Sequence, residues 1–94
     1  MQQQIEIKAT DQNLLGHFSN LAQVSLQDDH FILDFFLAAQ PIGMLVSRIV
    51  VTPSHMKAIY NAMGEQLKQY EASFGKVEAT KQERKIGFNI EGTT

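Results

Sequence analysis

Three features of the chain predict an α+β fold: a three-stranded antiparallel meander followed by one long amphipathic helix. Two central segments are apolar on both faces, polar or Gly/Pro breaks separate the extended stretches, and a long run with helical spacing follows a Thr-Pro start. In the first apolar segment Phe31, Leu33, Phe35 and Leu37 point one way, and Ile32, Phe36 and Ala38 the other. The second repeats this with Leu45, Ile49 and Val51 against Met44, Val46 and Val50. One helix covers one sheet face. The other needs a second cover, and the simplest is another copy of the chain, so a homodimer or tetramer is expected.

Each element has a local reason. Residues 1–13 are polar, with one short alternation at Ile5 and Ile7 that fits an edge strand or a frayed terminal segment equally well. Phe18 to Leu26 alternates weakly and forms the first strand. Gln27-Asp28-Asp29-His30 is a polar turn signal. His30 to Ala39 is the strongest strand, ended by Gln40-Pro41-Ile42-Gly43, where Pro cannot donate to a ladder. Met44 to Thr52 is a third strand, rich in β-branched residues.

Thr52 is a good N-cap, and Pro53 at the first helical position loses no hydrogen bond. The helix runs to about Phe74, with Gly75 placed to end it. Met56, Tyr60, Met63, Leu67, Tyr70 and Phe74 recur at spacings of 4, 3, 4, 3 and 4, with Ile59 widening the stripe. At ~1.5 Å per residue the helix is ~33 Å long, close to the ~30 Å of a nine-residue strand. The expectation is a helix lying along the sheet. Past Lys76 the pattern dissolves. Ile86, Phe88 and Ile90 alternate once more, as a short strand or, the reading preferred here, part of a flexible tail. The chain therefore divides into an N-terminal polar segment (1–15), a core domain (16–76) and a C-terminal tail (77–94).

Composition narrows the function classes. The chain has 94 residues, 44% of them hydrophobic, a net charge of −2 and no Cys. That is one domain with a modest core. Near-balanced charge argues against a general nucleic-acid or membrane-surface binder. Without Cys there is no disulfide, thiolate zinc site or Cys nucleophile. The start of the chain lacks a basic stretch leading into an apolar run, unlike a signal peptide, and a cytoplasmic location is expected.

The turns set a register. A two-residue loop at Asp28-Asp29 places Leu26 opposite Phe31, Val24 opposite Leu33 and Ala22 opposite Phe35. A reversal centred on Pro41 places Leu37 opposite Leu45, Leu33 opposite Ile49 and Phe31 opposite Val51. One face becomes almost wholly apolar, with Ser47 the main exception, and a one-residue slip would destroy the match. That face is assigned to the helix seam. The second face is assigned to an interface comprising Leu21, Ile32, Asp34, Phe36, Met44, Val46, Arg48 and Val50. There Asp34 falls opposite Arg48, with Gln23 on its other side. Three readings stay open: an exposed ion pair worth at most ~1 kcal/mol, a buried pair that fixes the mating register, or a catalytic Asp34.

From Phe18 to Val77 the chain resembles a family of small bacterial and archaeal proteins known only as a domain of unknown function. The resemblance rests on Phe18-Ser19-Asn20-Leu21 with Val24-Ser25, Phe31-Ile32-Leu33-Asp34-Phe35, the run from Ser47-Arg48 through Thr52-Pro53-Ser54-His55-Met56-Lys57, and Tyr70-Glu71 with Phe74-Gly75. Family members carry a longer, basic approach to the Ser-Arg pair, where this chain has Gln40-Pro41-Ile42-Gly43-Met44-Leu45. The resemblance implies the domain limits and the register, and brings no activity, cofactor or substrate.

Candidate chemistry is sparse. Thr52, His55 and Lys57 cluster at a helix N-terminus, where free N–H groups and the dipole favour anions, though a capped helix start with an exposed Lys explains them as well. His17, His30 and His55 lack metal-site spacing, so no metal and no cofactor is expected. No phosphate loop or nucleophile motif is present. Ser47 among apolar neighbours reads as a small core polar group. Lys81, Arg84 and Lys85, interrupted by Glu83, make only a weak basic patch. The expected function is a non-enzymatic, homo-oligomeric interaction or adaptor module, with no nucleic acid and no membrane as partner. The alternative is a peptide or small-ligand binder using a sheet–helix groove.

Overall fold

The structure, a computed structural model, describes residues 4–80. A short helix α1 (Asp11–Leu15) precedes the strands β1 (Leu21–Gln27), β2 (His30–Leu37) and β3 (Met44–Val51) and the long helix α2 (Pro53–Phe74). The strands form one antiparallel sheet in the order β1-β2-β3. The meander and the helix stand where the hydrophobic periods place them.

The N-terminal segment takes a form the sequence reading did not include. Residues 4–10 join no strand, and Ile5 and Ile7 are exposed. Thr10 caps α1, its Oγ1 accepting from the Asn13 N–H at 3.1 Å. The alternation at Ile86, Phe88 and Ile90 and the basic residues 81, 84 and 85 lie outside the described residues.

The first hairpin follows the expected register throughout, from Gln27 opposite His30 to Leu21 opposite Phe36. Asp28 carries the turn with φ of 54°, a left-handed conformation that Asp tolerates better than most side chains. Beyond Leu21 the chain stays attached through the Asn20 N–H, which donates to the Phe36 carbonyl at 3.1 Å, and through side chains. Asn20 Oδ1 accepts from the Ala38 N–H at 2.7 Å, and Asn20 Nδ2 donates to the Ala38 carbonyl at 3.0 Å. Ser19 Oγ donates to the Phe36 carbonyl at 2.9 Å. An amide side chain thus extends the ladder by one step.

The second hairpin corrects the expectation at one point. From Phe31 opposite Val51 to Phe35 opposite Ser47 the register is as expected; then it shifts, with Phe36 opposite Leu45 and Leu37 opposite Met44. Val46 is the extra residue of a β-bulge. Leu45 therefore leaves the row of Leu37 for that of Phe36, and Met44, assigned to the second face, stands opposite Leu37. Met44, Leu45 and Val46 are all apolar, so the alternation is equally apolar in either register and carries no signal for the bulge.

The helix also departs from expectation. It does not lie along the sheet with its seam covered. Met56 and Ile59 in its first two turns are half-buried, but Tyr60 is 73% exposed and Phe74 75%, with Met63, Leu67 and Tyr70 exposed between them. The connection explains this. Thr52 alone separates β3 from α2, and one residue leaves little slack for a helix to fold back along the strand it follows, where such connections usually take several. The buried apolar core among the described residues is correspondingly small: Leu33, Phe36 and Val51.

Candidate functional site

The meander builds one polar cluster. Antiparallel pairing sets Asp34 on β2 directly opposite Arg48 on β3. Arg48 donates twice, from Nε to Asp34 Oδ1 at 2.7 Å and from a terminal nitrogen to Oδ2 at 2.9 Å. This is a two-bonded fork, the strongest geometry for the pair. Asp34 is 5% exposed, whereas the Arg48 side chain is about half-exposed, at 48%. Hydrogen bonding to Asp34, and then its charge, hold the guanidinium above its ordinary pKa. Arg48 therefore remains charged at any working pH. A carboxylate already held at both oxygens has little left to offer as a base or nucleophile.

The other residues expected on the second face divide by burial. Phe36 is buried with Asp34, while Leu21, Ile32 and Val46 are half-buried. Met44, Val50 and Arg48 are exposed.

The helix start keeps Thr52, His55 and Lys57 together, and the geometry is that of a cap. Thr52 Oγ1 accepts from the His55 N–H at 3.3 Å, and the Thr52 carbonyl accepts from the Met56 N–H at 2.8 Å. His55 and Lys57 are exposed. His30 Nδ1 lies 3.5 Å from Asp29 Oδ1, at the hairpin turn. Among the described residues no group of His, Asp and Glu is arranged to hold a metal ion, and no helix is long and apolar enough to cross a membrane.

The seam of α2 presents apolar side chains to the surface. Tyr60, Met63, Leu67, Tyr70 and Phe74 form a continuous exposed apolar stripe, and the Tyr70 and Phe74 rings lie with centroids 4.9 Å apart, tilted by 39°. An open concavity of about 450 Å³ beside the stripe is lined by Ala62, Met63, Gln66 and Leu67, all from α2. It belongs to the helix surface and is not a groove between sheet and helix. Sequence reasoning found the stripe and supposed it covered. It placed Asn20 inside a first strand running from Phe18, whereas β1 begins at Leu21 and Asn20 stands just before it. It also missed Glu71, whose Oε2 accepts from the Val77 N–H at 2.9 Å while its carbonyl accepts from Gly75 at 2.9 Å.

These elements define a small α+β domain, a three-stranded meander with a projecting amphipathic helix. The model of a family described as "Protein of unknown function (DUF3467)" matches residues 1–79, and the chain belongs to that family. No curated protein and no solved structure matches it.

Proposed function

We propose that this chain is a non-enzymatic, self-associating interaction module of the cytoplasm, working as a homodimer or a small multiple of one. The observation that carries this reading is the exposed apolar seam of α2, from Tyr60 to Phe74. Soluble monomers rarely leave a contiguous apolar stripe of this extent open, and such stripes mark protein–protein surfaces. The small core supports it, since a short chain with few buried side chains gains from a partner. The non-enzymatic part rests on Asp34, whose two oxygens are both occupied by Arg48, and on a helix start that is spent on capping.

The test is mass in solution by light scattering over a concentration series. A dimer or tetramer at micromolar concentration is the expected result. A single copy at every concentration would overturn the reading and pass the seam to a foreign peptide or ligand, the alternative function.

A further inference from the structure

The α2 seam carries more information than its exposure. Met56, Tyr60, Met63, Leu67, Tyr70 and Phe74 alternate steps of four and three without a break, the 3.5-residue period of a coiled-coil seam. The helix has 22 residues, three heptads. We infer that α2 pairs with α2 of a second copy as an antiparallel two-helix coiled coil centred near Gly64, with Lys57 of each copy facing Glu71 of the other. The inference rests on the self-association proposed above and specifies its surface and geometry.

Charge sets the orientation and the register. In an antiparallel pair the two seam positions of the heptad meet each other. One register lets all six seam residues do so: Met56 against the partner's Phe74, Tyr60 against the partner's Tyr70, and Met63 against the partner's Leu67. Lys57 and Glu71 each follow a seam residue directly and so flank the seam on the same side. In this register, and not in those displaced by one heptad, they come opposite one another, twice by symmetry, in the flanking positions that select coiled-coil partners and orientation. A parallel pair sets Gln66 beside the partner's Glu71 and Ile59 beside the partner's Gly64, with no opposite charges matched. Within one chain Lys57 and Glu71 stand about 21 Å apart along the helix, too far to pair with each other.

Gly64 supports the same centre. It sits in the interior of a helix, where Gly is disfavoured against Ala, yet among the described residues, its own helix backbone aside, nothing lies within 4 Å of where a Cβ would stand. The described residues of a single chain give no packing reason for it. In the antiparallel register Gly64 flanks the seam at the symmetry axis and faces the partner's Gly64, where a missing side chain permits close approach. The area is also sufficient. With aromatic side chains of about 200 Å² and the observed exposures, Tyr60 to Phe74 offer roughly 600 Å² per copy. Two copies give about 1,200 Å², the lower edge of a specific interface.

The test uses the full chain and charge reversal. Lys57→Glu alone should weaken self-association about tenfold, because two symmetry-related pairs turn repulsive. Glu71→Lys should weaken it too, and also loses the bond from the Val77 N–H within its own chain. Lys57→Glu combined with Glu71→Lys should restore most of it. Failure of the double variant to recover would overturn the register. Orientation is read separately with a short thiol cross-linker, which the absence of native Cys makes clean. Gln66→Cys, beside the symmetry axis, should link to its own copy in the partner. Phe74→Cys should not, because the two copies of Phe74 then lie about 27 Å apart along the axis. Self-linking at Phe74 in an assembled protein would mean parallel helices, overturning this pairing while self-association stands. A chain that stays a single copy throughout would remove both.

Discussion

Asp34 and Arg48 share a two-bonded fork but not an environment: the carboxylate is buried and the guanidinium is half in solvent. The two halves of the pair therefore carry different consequences when removed. Arg48→Ala strands a buried charge without its partner, the costly way to break such a pair. Asp34→Ala leaves an arginine that can turn to water. The expected order in chemical denaturation is that Arg48→Ala lowers the midpoint clearly more than Asp34→Ala. The double variant should resemble Asp34→Ala. Equal losses from the two single variants would mean that the burial of Asp34 does not govern the pair.

The Asn20 amide makes a different claim, about where the sheet ends. It donates and accepts at Ala38 as a further strand residue would. Asn20→Asp keeps the size, loses the donor and sets a carboxylate oxygen against the Ala38 carbonyl. The expected cost is about 1 kcal/mol in unfolding free energy, a usual net value for a hydrogen bond. Hydrogen exchange at the Ala38 N–H should stay slow, since that bond's acceptor survives. If the variant is as stable as the parent, Asn20 is decoration and β1 ends at Leu21.

Much of this was legible in the sequence, and the boundary is physical. Leu26 opposite Phe31 and Asp34 opposite Arg48 were readable because a polar two-residue turn and strict alternation allow few registers. The bulge at Val46 was not, because Met44-Leu45-Val46 offers apolar side chains in either frame. The helix from Pro53 to Phe74 was readable from its cap and period. Its exposure was not, because periodicity reports that a stripe exists and is silent on what covers it. Amphipathic pattern reads the same whether the covering surface is the chain's own sheet or a second copy. The Asn20 clamp escaped because one polar residue beside a strand has many uses, and only the backbone path decides among them.

The core predicts sensitivity out of proportion to its size. Leu33 is 8% exposed and sits mid-strand, opposite Val24 and Ile49. Leu33→Ala should cost about 2–3 kcal/mol, the low end of the range for buried leucine because both neighbours are partly exposed and the site can relax. With Phe36 and Val51 as the other buried apolar side chains among the described residues, that loss is a large share of the stability of a small domain. A midpoint unchanged within error in urea would show that the sheet is not where stability resides.

Stability should also depend on how much protein is present. If the α2 seam is covered by a second copy, folding and association are linked, and the thermal midpoint rises with chain concentration. A tenfold increase is worth about 1.4 kcal/mol per mole of dimer. Spread over two chains of this size, it should raise the midpoint by about 3–6 °C. The control is Leu67→Glu, which places a charge in the middle of the seam at a site exposed in the single chain. That variant should keep the helix and sheet signals of the fold and lose the concentration dependence. Calorimetry on both proteins at several concentrations checks the point. A midpoint that is concentration-independent in the parent, or equally dependent in the two proteins, would place the stabilising surface somewhere other than α2.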